Sequence, residues 1–228
     1  MTQYILQEYG AWSVMVISYM AGILAAGKMS AGGAVSLIAL ALLINSKQAF
    51  TKWIRGHNAL APLIILIMQI FLASALLIAV SGADTVKLLP YLMLPAVYLL
   101  LFRFAGEHYF VTEICGFALL ALSAPIAKFA VTGIVDNKLY LSAAIFFIAG
   151  VLRVRVQTRK GMLERISMVL YVLFAAALYH LIKTPLIVLL PLIDNLILSL
   201  TLYGVKLKTT GWIELSKGII FLLLMALV

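Results

Sequence analysis

The sequence predicts an all-α, polytopic transmembrane bundle of about nine helices, with residues 1–228 forming one membrane domain. Three observations predict it. First, 65% of the 228 residues are hydrophobic and only 11% are charged, and the mean hydropathy is +1.15. A soluble domain carries about 25% charged residues, so too few charges are present to cover a water-facing surface. Second, the apolar residues fall into runs of roughly 20, the length needed to cross a bilayer. Third, the basic residues are concentrated between alternate runs, the pattern of cytoplasmic loops.

The helices are expected at about 11–27, 31–50, 59–81, 87–105, 111–132, 139–156, 163–182, 185–205 and 212–228. Transmembrane strands would alternate polar and apolar residues over about ten positions. These runs are apolar on every side for about twice that length, and only a helix then satisfies its own backbone in lipid. Turn-like clusters separate the runs: Gly27-Lys28, Gly32-Gly33, Gly56-His57-Asn58, Ser81-Gly82-Ala83-Asp84, Asp136-Asn137-Lys138 and Lys183-Thr184-Pro185. Pro90, Pro95, Pro125 and Pro191 fall inside or near the ends of spans, where they are expected as kinks.

The loops after helices two, four, six and eight carry Lys47, Lys52, Arg55, Arg103, Arg153, Arg155, Arg159, Lys160, Arg165, Lys206 and Lys208. The other side carries Lys28, Lys87, Lys128, Lys138 and Lys183. This asymmetry predicts a multi-pass protein of the cytoplasmic (inner) membrane, N-terminus in the cytoplasm and C-terminus outside. It also accounts for the net charge of +9 without nucleic acid as a partner. The basic segments recur about once per helical hairpin, a spacing that hints at a repeated four-helix unit. Cys115 is the single cysteine, so no intrachain disulfide is available. Met1 to Tyr9 lacks a basic signal-peptide region, so the first apolar stretch is expected to be a retained helix.

The basic rim holds the first candidate site. Asn45, Gln48, Lys52 and Arg55 line one face if the second helix continues to Arg55. Arg155 and Arg159 stand at i, i+4 below the sixth. Where two such faces meet, they would form a cationic pocket for a phosphate or carboxylate. Plain topology and contact with anionic lipid heads account for the same residues. Glu8, Glu113 and Glu214 are expected near the inner interface, as ion-pair partners or as lining of a polar cavity. Asp194-Asn195, soon after Pro191, falls near the middle of the eighth helix. A carboxylate at that depth is a candidate ion or proton site, with an interhelical clamp as the alternative.

His57, His108 and His180 have no ligand spacing, so neither zinc nor haem is expected, and no metal or other cofactor is assigned. Trp12, Trp53, Trp212, Tyr91, Tyr98 and Tyr140 are expected as interface anchors. The small residues among Ala21 to Gly27 suit close helix packing. No nucleotide loop, nucleophile elbow or HExxH motif is present.

Gln7-Glu8-Tyr9-Gly10-Ala11-Trp12-Ser13-Val14-Met15 resembles the N-terminal signature of the YwiC-like membrane proteins, E-H-G-A-W-A-M, with Tyr9 in place of His. Gly211-Trp212-Ile213-Glu214 resembles the C-terminal Gly-x-x-Glu element of that family, and Thr112-Glu113 with Gly116 resembles its central one. The layout is also similar to that of the UbiA prenyltransferases, whose loops after helices two and six carry N-D-x-x-D-x-x-x-D and D-x-x-x-D motifs that hold magnesium and a diphosphate. The corresponding stretch here, Asn45-Ser46-Lys47-Gln48-Ala49-Phe50-Thr51-Lys52-Trp53, keeps Asn45 and none of the Asp residues. The second, within Arg153 to Arg159, has none either. Without carboxylates a magnesium bridge does not form, whereas Lys and Arg can hold a phosphate directly.

The expected function is therefore non-catalytic binding of an anionic or isoprenoid-type lipid in an inner-leaflet cavity, through Asn45, Gln48, Lys52, Arg55, Glu113, Arg155 and Arg159. The alternatives are a proton- or ion-coupled small-molecule transporter using Asp194, a degenerate metal-independent prenyl or lipid transferase, and a structural subunit of a membrane complex. Membrane lipids are the expected partners, and a homo-oligomer or larger assembly is left open.

Overall fold

The computed structural model describes residues 6, 8–56, 60–203 and 206–227. Gln7, His57 and Asn58 lie outside the described residues. The described chain is helical, without strands, as its run-length pattern requires. In order the elements are α1 (Tyr9–Ala26), α2 (Ala31–Arg55), α3 (Leu60–Ser81), a 3-10 segment Gly82–Leu92, α4 (Met93–Phe104), α5 (Phe110–Ala121), α6 (Ser123–Thr132), α7 (Asn137–Arg159), α8 (Met162–Leu181), a second 3-10 segment Leu186–Leu192, α9 (Ile193–Thr201) and α10 (Leu207–Ala226).

Among the described residues, seven helices are long and apolar enough to cross a membrane, and an eighth, Leu186–Thr201, is apolar but shorter. Counted as continuous helical runs these are fewer than the nine expected. The helices expected at 59–81 and 87–105 form one helical run, Leu60–Phe104. Laid straight at about 1.5 Å per residue it would far exceed a ~30 Å hydrocarbon core. It does not run straight: Glu107, just past its end, meets Lys47 at 3.0 Å and Arg55 at 2.9 Å, near the end of α2. The run therefore folds back. The reversal lies in Gly82–Leu92, where Gly82 takes φ +55° and Pro90 withholds an N–H.

Proline and glycine set the other breaks. Pro125 follows the junction of α5 and α6, and Pro191 ends the 3-10 segment before α9. Gly27 and Gly133 adopt the left-handed conformation that stops α1 and α6. Ser30 and Asp136 cap α2 and α7 by accepting from the N–H groups of Gly33 and Leu139. Partial burial pushes the Asp136 carboxyl up. The Lys128 ammonium, 2.6 Å away, and the N–H groups of Leu139 and Lys138 outweigh that and hold its pKa below the usual carboxylate value.

The ends of neighbouring helices are matched by named contacts. Lys138 Nζ, at the start of α7, donates to the Lys183 carbonyl beyond the end of α8. Arg165, at the start of α8, donates through Nε and Nη2 to the Ser199 and Leu200 carbonyls at the end of α9. Thr210, early in α10, donates to Gln157 near the end of α7, while Phe221 stacks on Phe146 at 4.2 Å in the first half of α7. The bundle thus has a basic end, where α2, α7 and α9 finish, and an opposite end, where α1, α6 and α8 finish.

The main apolar core gathers Val14, Ile17, Ala143, Phe146, Phe147, Tyr179, Val188, Leu192 and Phe221 around α7. Close approach depends on Gly22 of α1. A Cβ there would strike the Ala124 carbonyl oxygen and lie 2.7 Å from Ala127 Cβ on α6. The distribution of polarity is inverted relative to a water-soluble protein. Arg153 is fully buried, while Phe71 and Leu200 are 74% and 71% exposed. Only an apolar solvent stabilises that arrangement, so the chain is an integral, multi-pass membrane protein.

Candidate functional site

The basic rim contains the first expected group of residues. α2 does continue to Arg55, so Asn45, Gln48, Lys52 and Arg55 share a helix. Asn45 Oδ1 accepts from the Leu6 N–H at 2.8 Å. Lys47 is held by Glu8 at 2.6 Å and by Glu107 at 3.0 Å, and Arg55 by Glu107. Across the same end, Arg155 Nε donates to Glu113 at 2.9 Å, its Nη2 donates to the His108 carbonyl, and its guanidinium lies 4.7 Å from the centre of the Phe110 ring. Arg159 lies 3.7 Å from Glu164. The basic faces of α2 and α7 therefore reach two neighbouring residues, Glu107 and His108, in the loop between α4 and α5. Glu107 and Glu164 were not among the expected partners. They join Glu8 and Glu113 in pairing Lys47, Arg55, Arg155 and Arg159.

The more unusual site lies deeper. α7, α9 and α10 converge on four charged side chains: Arg153, Asp194, Glu214 and Lys217. Arg153 was counted with the basic rim, and this is corrected. It lies inside α7, about 9 Å before the end of that helix at 1.5 Å per residue, and is completely buried. Its Nη1 pairs with Asp194 and its Nε lies 3.3 Å from Glu214 Oε1. Lys217, on α10, is 5% exposed and meets the same Glu214 oxygen at 2.5 Å. The charges alternate along the chain of contacts, Asp194–Arg153–Glu214–Lys217, and cancel.

Two neutral side chains complete the network. Asn195 is fully buried, and its Oδ1 accepts from both Arg153 and Lys217, while its Nδ2 donates to the Ala149 carbonyl at 3.5 Å. The Tyr203 hydroxyl accepts from Arg153 Nη2 and donates to Asp194 Oδ1, each at 2.7 Å. Tyr203 can reach back because Leu202, at φ +48°, turns the chain beyond α9. Gly150, one turn before Arg153, leaves room for the Glu214 carboxylate: a Cβ there would sit 3.1 Å from Glu214 Oε2.

The local backbone explains why Asp194 is here. The segment expected as one helix at 185–205 is broken. Residues Leu186–Leu192 are 3-10 and only Ile193–Thr201 is α-helical, so Asp194 lies in the first turn of a half-helix. The cations are deep and the carboxylates are shallower: the Asp194 and Glu214 side chains are 34% and 29% exposed, against 0% and 6% for Arg153 and Lys217.

The sequence reading placed Asp194, Asn195 and Glu214 among its candidates but missed Lys217 and Tyr203. Lys217 had a legible signal. It stands three residues after Glu214 within an apolar run, and the loop count assigned it to neither side. Tyr203 had none, because its contact depends on a turn. Tyr98, expected as an interface anchor, is buried against Phe50, Phe102 and Cys115. Among the described residues no three His, Cys, Asp or Glu side chains come together as a metal-binding group. A groove lined by Lys87, Tyr91, Gly133, Ile134 and Asn137 opens at the opposite end from the basic rim. No protein-family model, curated protein or solved structure matches this chain.

Proposed function

We propose that this integral membrane protein is a proton- or ion-coupled carrier of a small molecule, with the Arg153–Asp194–Glu214–Lys217 network as its coupling site. One observation carries the reading: a charge-balanced cluster is buried in the bundle beside a helix that is interrupted at the same depth. Ionisable groups inside the membrane are costly and mark ion or proton pathways. Discontinuous helices are the usual place where secondary transporters hold substrate and coupling ion. A cluster that is neutral with all four groups charged responds strongly to the gain of one proton, because the low dielectric leaves the partner cation uncompensated.

The test is a pH jump on proteoliposomes adsorbed to a solid-supported membrane. The wild type should give a transient charge displacement as the half-buried carboxylates take up protons. Asp194→Asn should reduce it by more than half, and adding Glu214→Gln should abolish it. A wild type with no protein-dependent transient, or a transient indifferent to both substitutions, rejects the reading.

A second reading rests on the basic rim. Arg55 and Arg159 keep 67% and 60% of their side chains exposed while paired with Glu107 and Glu164. That exposure supports contact with anionic lipid head groups at the inner surface. On this reading Asn45, Gln48, Lys52 and Arg155 help shape the rim, and the N-terminus faces the cytoplasm. The YwiC-like resemblance belongs with these proposals. Its three carboxylates, Glu8, Glu113 and Glu214, each hold a cation.

A further inference from the structure

We propose that the carried substrate is an anion with a carboxylate- or phosphate-type head, and that it binds Arg153 and Lys217 in place of Asp194 and Glu214 once these are protonated. The inference deepens the carrier reading and rests on it. Its basis is the layering of charge. The two cations are the innermost groups, at 0% and 6% side-chain exposure, and the two carboxylates lie outside them at 34% and 29%. The carboxylates therefore occupy the position an incoming anion would take.

The donors are already convergent. Arg153 and Lys217 both donate to Asn195 Oδ1 and both approach Glu214 Oε1, so one oxyanion can be reached by both. A guanidinium beside an ammonium suits carboxylate or phosphate oxygens. The cluster is already organised around a negative oxygen, the Glu214 carboxylate, and Gly150 leaves the space in which that oxygen sits.

The exchange conserves charge. Each carboxylate that gains a proton becomes a neutral acid and frees one positive charge. An anion of equal charge then restores neutrality in a medium that tolerates no net charge. Loaded with substrate and protons, or empty and deprotonated, the network is neutral. Binding one without the other is disfavoured, which is the condition for coupling.

The neighbouring groups leave this exchange to the four named charges. On α8, Arg165 is committed to the Ser199 and Leu200 carbonyls, and Tyr171 donates to the Ile145 carbonyl. On α5, Glu113 is paired with Arg155. Tyr203 bridges Arg153 and Asp194. The 3-10 segment Leu186–Leu192 brings only apolar side chains, and α1 brings Val14, Ile17 and Ala21 to the adjoining core.

The experiment is calorimetric titration of the purified full-length protein in detergent with sulfate, whose charge is constant over the range, and with succinate. Both are run at mildly acidic and mildly alkaline pH. Sulfate should bind about tenfold or more tightly at the acidic pH. The Asp194→Asn/Glu214→Gln double variant should bind it equally at both, and Lys217→Gln should lose it. Preference for sulfate or for succinate separates phosphate-like from carboxylate-like substrates. Absence of binding by the wild type at acidic pH, or binding of equal strength at the two pH values, overturns the proposal without recourse to any variant. A pH-jump current without anion binding would leave the carrier reading standing and remove only the substrate class. Acid-favoured anion binding without a current would do the reverse.

Discussion

At the scale of the residue, Arg153 decides most. It contacts two carboxylates, a carboxamide and a phenol. Removing one member of such a set leaves its partners buried and uncompensated, which typically costs about 3–5 kcal/mol. Arg153→Met should lower unfolding stability in detergent by that order. Adding Asp194→Asn should restore part of it, because Glu214 and Lys217 then remain as a neutral pair. If Arg153→Met is as stable as the wild type, the network does not bear on the fold. The identities of Asp194, Asn195 and Glu214 as candidates were legible, because a carboxylate in an apolar run is conspicuous. That Arg153 belongs with them was not. A basic residue near the inner end of a span looks the same whether it faces the rim or the core, and only the rotation of α7 distinguishes the two.

At the scale of the element, hydropathy located the helices but not their interruptions. The α2 expectation stopped at 50, whereas the helix runs to Arg55 because its amphipathic last turns still pack, with Phe50 buried and Trp53 beside it. The segment at 82–92 carries Gly82, Asp84, Thr85 and Lys87, and its start was expected as a turn; that at 186–192 carries the same apolar composition as an α-helix. What breaks them is the missing N–H of Pro90 and Pro191, and for the first also the left-handed Gly82. Composition does not register hydrogen-bond geometry. Small residues were a better guide: the run Ala21 to Gly27 was expected to pack closely, and Gly22 touches α6 backbone. Gly22→Leu should therefore force α1 from α6 and destabilise the bundle by about 1–3 kcal/mol or more. Gly10→Leu, where a Cβ meets nothing within 4 Å, should be near neutral. Equal melting of the two variants would argue against this contact.

At the scale of the whole molecule, the inverted polarity makes the bilayer the solvent, and the matched helix ends define which loops share a side. Single cysteines placed at Gly106 and Lys160 should be labelled from one face by an impermeant thiol reagent. Those at Lys28 and Ile134 should be labelled from the other, with Cys115 replaced by Ser beforehand. On the proposed orientation the first pair faces the cytoplasm. Labelling of Gly106 and Lys160 positions from opposite faces would contradict the end-matching contacts. The fold class was legible because run length and charge bias are properties of the bilayer itself. The rim pairs were legible only in part, since Glu107 and Glu164 lie far in sequence from Arg55 and close to Arg159 respectively, and proximity in the chain did not single out either. The grip of Arg165 on the last carbonyls of α9 carries a mechanical consequence. It couples the half-helix to α8, and α8 is itself tied to α7 where Tyr171 donates to the Ile145 carbonyl and Lys138 donates to the Lys183 carbonyl. Drawing Asp194 away from Arg153 would first have to break that clasp, so the grip acts as a latch on the charges.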